Sequence, residues 1–239
     1  FIPVVLAADR LAEAEGVSRE QLDAVALVSQ QRAGAAEADP ELTASRVPLA
    51  GLSRDECARP QSTAQSLAAM APSFAALATQ YADALDGPID HRHTIGHAPP
   101  ICDGAGLALI GGAPKAADKP RARILGYAES GGDPHASLLA GFSAMTKVLA
   151  RIGLTLADMD RIEFMEAFAV TIAKFLRDYP VDPGKVNVAG GHIARGHPMV
   201  RLGLRQQFGR IRRADLAPLA DAGLRRGLGR SCLRQCRDQ

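Results

Sequence analysis

From about His91 onward the sequence alternates two periodicities, and this constrains the fold more than any other feature. Residues 107–110 form a short apolar run, and 121–128 alternates through Ala122, Ile124 and Gly126. Over 136–152 the spacing becomes helical, with Leu139, Phe142, Met145, Val148, Leu149 and Ile152 on one face. A strand at 161–164, a helix at 167–177 and a buried strand at 186–188 follow. Short apolar strands separated by amphipathic helices bury their faces when a sheet carries helices on both sides. The expected fold class is therefore α/β, a sheet with helices on both faces.

The stretch before His91 reads differently. Residues 7–38 have helical spacing broken at Gly16, and Ser18 with Gln21 three positions later forms a capping box. Leu22, Val25, Ala26 and Ala33 then lie on one face. Pro40, Pro48, Gly51 and Pro60 make 39–61 irregular, 62–71 is a short helix stopped by Pro72, and Asp86-Gly87-Pro88 is a turn. The organisation expected is a mainly helical unit over 1–90, an α/β unit over 91–199 and a tail over 200–239.

The tail stands apart in charge. Residues 200–239 hold ten arginines, no lysine and three aspartates, a net +7; with +2 for the whole chain of 239 residues, positions 1–199 carry −5. With few large apolar anchors, this tail is expected to pack poorly on the body. It has one aromatic residue, Phe208, and no nucleic-acid motif, so nucleic acid is not an expected partner. A hydrophobic fraction of 47% with 23% charged residues excludes wholesale disorder. No run of 18 apolar residues exists, so no membrane span is expected. No basic region followed by an apolar one opens the chain, so no signal peptide is expected. Cys57, Cys102, Cys232 and Cys236 do not form a disulfide framework, which points to a reducing, cytoplasmic setting.

Two short stretches carry chemistry. In Met165-Glu166-Ala167-Phe168 a strand gives way to a helix, the position where open α/β sheets gather ligands. There Glu166 serves either a ligand or the helix dipole, and Phe168 either a ligand or the core. In GGHIARGHP, residues 190–198, the glycines allow close backbone approach, and Pro198 suits the first turn of a helix. His197 would then stand at a strand-to-helix turn, at the same sheet edge as Glu166, as either a general base or a hydrogen-bonded turn residue. His91, His93, His97 and Cys102 cluster in sequence, but two prolines intervene and the spacing fits no standard zinc site, so no metal is expected.

Several stretches together carry a family resemblance. MEAF resembles an Asn-Glu-Ala-Phe motif, VNVAGGHIARGHP resembles VNxxGGAIALGHP, and HTIGHAPPICDGAGLALI resembles TAGNxSGxxDGAAAxLL. GVSREQLDAVALVSQQRA resembles a helix that precedes them in the same order. These are motifs of the thiolases, which exchange acyl groups between thioesters of coenzyme A. The resemblance covers about residues 1–199 and nearly stops after Met199. It implies the family's layered α/β fold, a mixed β-sheet with helices on both faces, here its helical loop domain over 1–90 and its C-terminal half over 91–199. The nucleophilic cysteine of the family belongs to the other half, and none of the four cysteines stands in its motif.

Residue by residue, the resemblance implies the following. His197 matches the base that activates the nucleophile, and the glycines would let the acyl thioester come close. Cys232 matches the second cysteine, the proton donor and acceptor at the substrate α-carbon, though Leu233-Arg234-Gln235 replaces the glycines expected after it. Glu166 completes the candidate catalytic set. Arg59 and Ser66, in RPQSTAQS, match coenzyme A contacts of the loop domain. Pro99 replaces a serine that meets the pantetheine arm, and Met165 replaces an asparagine that helps form an oxyanion hole. Arg195, beside His197, would disfavour a charged imidazole. The function implied is acyl exchange on coenzyme A thioesters, by 3-oxoacyl-CoA thiolysis or acetyl-CoA condensation, with residues 1–239 alone inactive. Coenzyme A thioester is expected as substrate, with no bound cofactor, and the partner would be a second copy or a thiolase N-terminal half. The alternative is a non-catalytic thiolase-like remnant that binds acyl-CoA, lipid or another subunit.

Overall fold

A computed structural model describes residues 2–49, 51–112, 122–133, 136–198, 210–212 and 234–236. Two helices open the chain, α1 (Val4–Ala14) and α2 (Arg19–Ala36). The capping box read from the sequence is present: Gln21 N–H donates to Ser18 Oγ, and Ser18 N–H donates to Gln21 Oε1 at 2.8 Å. The buried side of α2 carries Leu22, Ala26 and Ala33 as expected, but also Ser29 and Gln30. These two polar side chains share the apolar stripe because they bond to the site described below.

Three short helices follow, α3 (Pro40–Thr43), α4 (Ala64–Ala68) and α5 (Ala75–Gln80). The C-terminal portion contributes α6 (Ala140–Ile152), α7 (Ala169–Asp178) and α8 (His192–Arg195). Helix α6 starts at Ala140 rather than at 136, because Leu138 takes φ +80°, outside the helical region. Its Val148 and Ile152 pack on Gly126, where an added Cβ would lie 2.5 Å from Ile152 Cγ2.

The strands are short. They are β1 (Ile101–Cys102), β2 (Leu109–Gly111), β3 (Ala122–Arg123), β4 (Arg161–Glu163), β5 (His197–Pro198), β6 (Arg210–Arg212) and β7 (Arg234–Cys236). β1 and β5 pair in parallel, with Ile101 opposite His197 and Cys102 opposite Pro198. β4 pairs antiparallel with β6, and β7 lies between β2 and β3, antiparallel to both. Both strand directions expected of a mixed sheet therefore occur.

Two expectations need correction. Residues 186–188 form no ladder strand: Val186 makes a single parallel bridge to Ile162, and Asn187 then turns to φ +47°. Pro198 does not enter a helix, because it lies in β5 after α8 has ended. Of residues 200–239, the described strands β6 and β7 pair with β4 and with β2 and β3.

Helix α7 joins two cores. Ala169 and Val170 pack with Leu11, Leu22, Ala26 and Ile193 of α1, α2 and α8, while Phe175 packs with Phe142, Met145, Ile162 and Val186. The first core straddles position 90, so the segments expected as 1–90 and 91–199 are packed into each other. Among the described residues, no helix is long and apolar enough to cross a membrane.

Candidate active site

Glu166 lies between β4 and α7, yet its carboxylate serves neither end of α7. It is 2% exposed and accepts three hydrogen bonds: Ser29 Oγ at 2.7 Å and Ile193 N–H at 3.0 Å on Oε2, and Asn187 Nδ2 at 3.0 Å on Oε1. Burial raises its pKa above the ordinary glutamate range, against the hydrogen bonds from Ser29, Asn187 and Ile193, which favour the anion. Ser29 Oγ in turn accepts from Gly191 N–H at 3.0 Å. The polar residues on the apolar stripe of α2 thus exist to hold the start of the GGHIARGHP segment.

Asn187 completes this frame. Its Oδ1 accepts from Phe164 N–H at 2.7 Å and its Nδ2 donates to Phe164 O at 2.8 Å, so the amide side chain stands in for a strand neighbour. Asn187 N–H donates to Ile162 O at 2.8 Å. Asparagine tolerates the left-handed conformation better than other side chains, and here it replaces the ladder that the turn interrupts.

The glycines at 190 and 191 meet protein. At φ +76°, Gly190 lies against α2: an added Cβ would be 2.6 Å from Ser29 O and 2.7 Å from Ala33 Cβ. At Gly191 it would be 2.1 Å from the Glu166 carboxyl carbon. Close packing within the protein therefore requires glycine at both positions. Gly196, at φ +82° and ψ 171°, ends α8 and turns the chain into β5. A Cβ there would lie 2.7 Å from Cys102 Sγ and 3.0 Å from Cys57 Sγ.

His197 is half-buried on β5. Its backbone N–H donates to Pro100 O at 2.8 Å, and its ring centroid lies 5.6 Å from that of His192. The expected strand-to-helix turn is in fact a helix-to-strand turn. Glu166 holds the start of the 190–198 segment and His197 closes it, but β4 and β5 belong to different two-stranded sheets among the described residues. Burial, with His197 alongside, lowers the pKa of His192, so the ring next to His197 favours the neutral form. The Arg195 guanidinium is committed elsewhere, donating to Ala189 O at 2.7 Å and approaching Asp55 at 3.8 Å and Glu37 at 3.9 Å.

Arg59 and Ser66 are exposed. Arg59 N–H donates to Gln30 Oε1 at 2.7 Å and its guanidinium to Cys57 O at 3.2 Å, so its head lies at the surface on a fixed backbone. Ser66 Oγ is used locally: with Thr63 it forms the capping box of α4, accepting Thr63 N–H at 2.9 Å. Cys232 lies outside the described residues.

The histidines grouped by sequence each find an aspartate. His91 and His93 bond to the fully buried Asp9 at 2.9 and 2.7 Å, and His97 Nε2 to Asp23 at 2.6 Å. Among the described residues no group of three or more histidines, cysteines and acids could hold a metal. Sequence reasoning missed Asp9, Asp23, Ser29 and Asn187. Only the first three left a signal, as polar residues on otherwise apolar helix faces.

An α/β protein whose Gly-Gly turn is braced by a buried glutamate, and which presents a histidine on the next strand, can be compared with known proteins. "Thiolase, N-terminal domain" matches residues 2–111 and "Thiolase, C-terminal domain" matches residues 118–232. The chain belongs to the thiolase family. The match passes well beyond Met199, where the resemblance was expected to fade. Mitochondrial 3-ketoacyl-CoA thiolase of Rattus norvegicus is 34% identical over 209 residues, 83% of this chain and 49% of that protein. Beta-ketoadipyl-CoA thiolase of Pseudomonas putida is 35% identical over 240 residues, 95% of this chain and 55% of that protein. Human mitochondrial 3-ketoacyl-CoA thiolase, in two crystal structures of which one is a complex with CoA, superimposes with a TM-score of 0.66 at 32% identity, over 82% of this chain and 49% and 48% of those chains. The likeness establishes the α/β thiolase fold. The chain spans about half the length of the relatives it matches.

Proposed function

We propose that the chain acts in thiolase-type acyl exchange on coenzyme A thioesters, as the part that binds coenzyme A and supplies the base His197. The observation that carries this reading is the fixing of the GGHIARGHP segment at both ends. Glu166 and Ser29 hold its start, and Pro100 O anchors the His197 backbone at its close. A half-buried imidazole on a fixed strand suits proton removal from a thiol, because a neutral ring nitrogen held in place can accept the proton. The surface guanidinium of Arg59, on the segment that reaches Gly196 through Cys57, suits a coenzyme A phosphate. Ser66 and Cys232 complete the proposed set, with 1–90 as the coenzyme-contacting unit and a reducing cytoplasmic setting. Coenzyme A enters as substrate rather than as a resident cofactor.

None of the four cysteines stands in the family's nucleophile motif, so the acyl-carrying thiol is assigned to another chain or segment. Incubation of residues 1–239 with acetoacetyl-CoA should leave the intact mass unchanged. Adding a thiolase N-terminal half should give thiolysis, and His197→Ala should lower it by about 10²–10⁴-fold. A stoichiometric acetyl adduct on residues 1–239 alone, or full activity in His197→Ala, would overturn the assignment.

A second reading, a non-catalytic remnant that docks on another subunit, is favoured by exposed Ile101 and Leu107, at 79% and 76% exposure around β1. It expects a complex with the N-terminal half that forms normally and turns over no substrate.

A further inference from the structure

We propose that Cys57 and Cys102 are a modification site, a reversible dithiol–disulfide pair that clamps the irregular segment carrying Arg59 onto the strand beside His197. Three observations place the thiols together. Both sulfurs crowd the same point, the space in front of Gly196, at 2.7 Å for Cys102 and 3.0 Å for Cys57 from where a Cβ would begin. Each thiol is near enough to the other to act on its ionisation. Cys102 Sγ also lies 3.9 Å from Arg195 O, immediately before Gly196. Both backbones are held: Cys102 stands opposite Pro198 in the β1–β5 pair, and Cys57 N–H donates to Asp55 Oδ1 at 2.9 Å. Gly196 is what makes room, since any side chain there would displace both sulfurs.

Both residues are partly exposed, so a small oxidant can reach them. Burial holds both thiols above the ordinary cysteine range, with the Asp55 charge adding at Cys57 and the neighbouring thiol adding at Cys102. The first encounter with an oxidant is therefore slow at neutral pH and quickens as pH rises. The second step is intramolecular and fast. With a small-molecule disulfide such as oxidised glutathione, one cysteine thiolate attacks a glutathione sulfur. Its S–S bond breaks, one glutathione leaves as thiolate, and a mixed disulfide forms. The other cysteine then attacks the protein-side sulfur and expels the second glutathione thiolate. The two protons lost by the cysteines end on the two glutathione thiols. The protein pair is oxidised by two electrons and the glutathione disulfide is reduced by two. This pair is independent of the acyl-transfer reading, because the readout is a covalent link rather than turnover.

The test uses the reduced full chain, oxidised glutathione at mildly alkaline pH, alkylation of remaining thiols and peptide mapping. The expected result is a Cys57–Cys102 linked peptide, an intact mass lower by about 2 Da at this pair, and a midpoint of thermal unfolding higher by about 5–10 °C that dithiothreitol reverses. Cys57→Ser and Cys102→Ser should each leave a single glutathione on the remaining partner and abolish the rise. Separate glutathione adducts on Cys57 and Cys102 in the wild type, a link from either to Cys232 or Cys236, or no reaction at either would overturn the proposal.

Discussion

The carboxyl carbon of Glu166 lies 2.1 Å from the point where a side chain on Gly191 would begin. Real Cβ atoms do not come this close to other heavy atoms, and Glu166 cannot retreat while Ser29, Asn187 and Ile193 hold it. Gly191→Ala should therefore cost about 1–3 kcal/mol or more of stability, the range for overpacking a close-packed interior. Urea denaturation measures it. An unchanged midpoint would mean that Glu166 is not seated against Gly191.

Glu166→Gln separates a bracing role from a catalytic one. All three partners of the carboxylate are donors, and Asn187 cannot turn its amide because Phe164 uses both of its ends. A glutamine must aim its NH₂ at a donor, which forfeits at least one buried hydrogen bond and costs about 1–3 kcal/mol. In the complemented thiolysis assay, the variant should lose activity only in step with its folded fraction. A drop of the size expected for His197→Ala, in fully folded protein, would make Glu166 a catalytic group.

The sequence was most legible where local periodicity governs. The capping box at Ser18, the apolar face of α2 and the buried face of α6 follow from helical spacing, and the structure keeps them. The Glu166–Gly191 contact is different, because it requires two segments and α2 to meet, and no local pattern specifies that. The strand read at 186–188 failed because Asn187 satisfies Phe164 with its side chain, so the apolar residues around it imitate a ladder that is not there. Pro198 fits β5 as well as a helical first turn. A proline lacks only its N–H, and the parallel pair with β1 is two residues long. The approach of Cys57 to Cys102 left no trace in the sequence, since it depends on tertiary packing around Gly196.

Asn187→Asp is nearly isosteric and should still be worse than Asn187→Ala. The Oδ1 bond from Phe164 N–H survives, but the second oxygen would face Phe164 O and Glu166 Oε1, which now receive Nδ2 at 2.8 and 3.0 Å. Two carboxylates would then share a buried site, and one must stay protonated. The expected cost at pH 7 is about 3 kcal/mol, as for breaking a buried polar network, and part of it should return at pH 5. Stability of Asn187→Asp equal to wild type at both pH values would show that the amide is not the bridge between Phe164 and Glu166.

The pH dependence of folding should centre on His97. Thr94 N–H donates to its Nδ1 at 3.1 Å, so Nδ1 is the acceptor and Nε2 carries the proton that meets Asp23 Oδ1 at 2.6 Å. A second proton would have to displace the Thr94 bond inside the core. Burial lowers the pKa of His97 to about 4, even though Asp23 pulls it upward; His93 and Arg19 push the same way as burial. An unfolded histidine titrates near pH 6.5. Between these values the unfolded chain takes up a proton that the folded chain refuses. The stabilisation is therefore complete above about pH 6.5 and is lost as pH falls towards 4, by about 3 kcal/mol in all. His192, lowered by burial, adds in the same direction, while Glu166, raised by burial, acts in the opposite sense. Asp9 enters lower down: burial raises its pKa, but the bonds from His93 and His91 hold it below the usual carboxylate range, so its share is lost only in stronger acid. Urea midpoints measured from pH 7.5 to 4.5 should fall steeply in wild type. They should fall much less in His97→Gln, which starts from a lower midpoint at pH 7.5 because the fit to Asp23 and Thr94 is lost. Equal slopes for the two proteins would assign the acid lability to other groups.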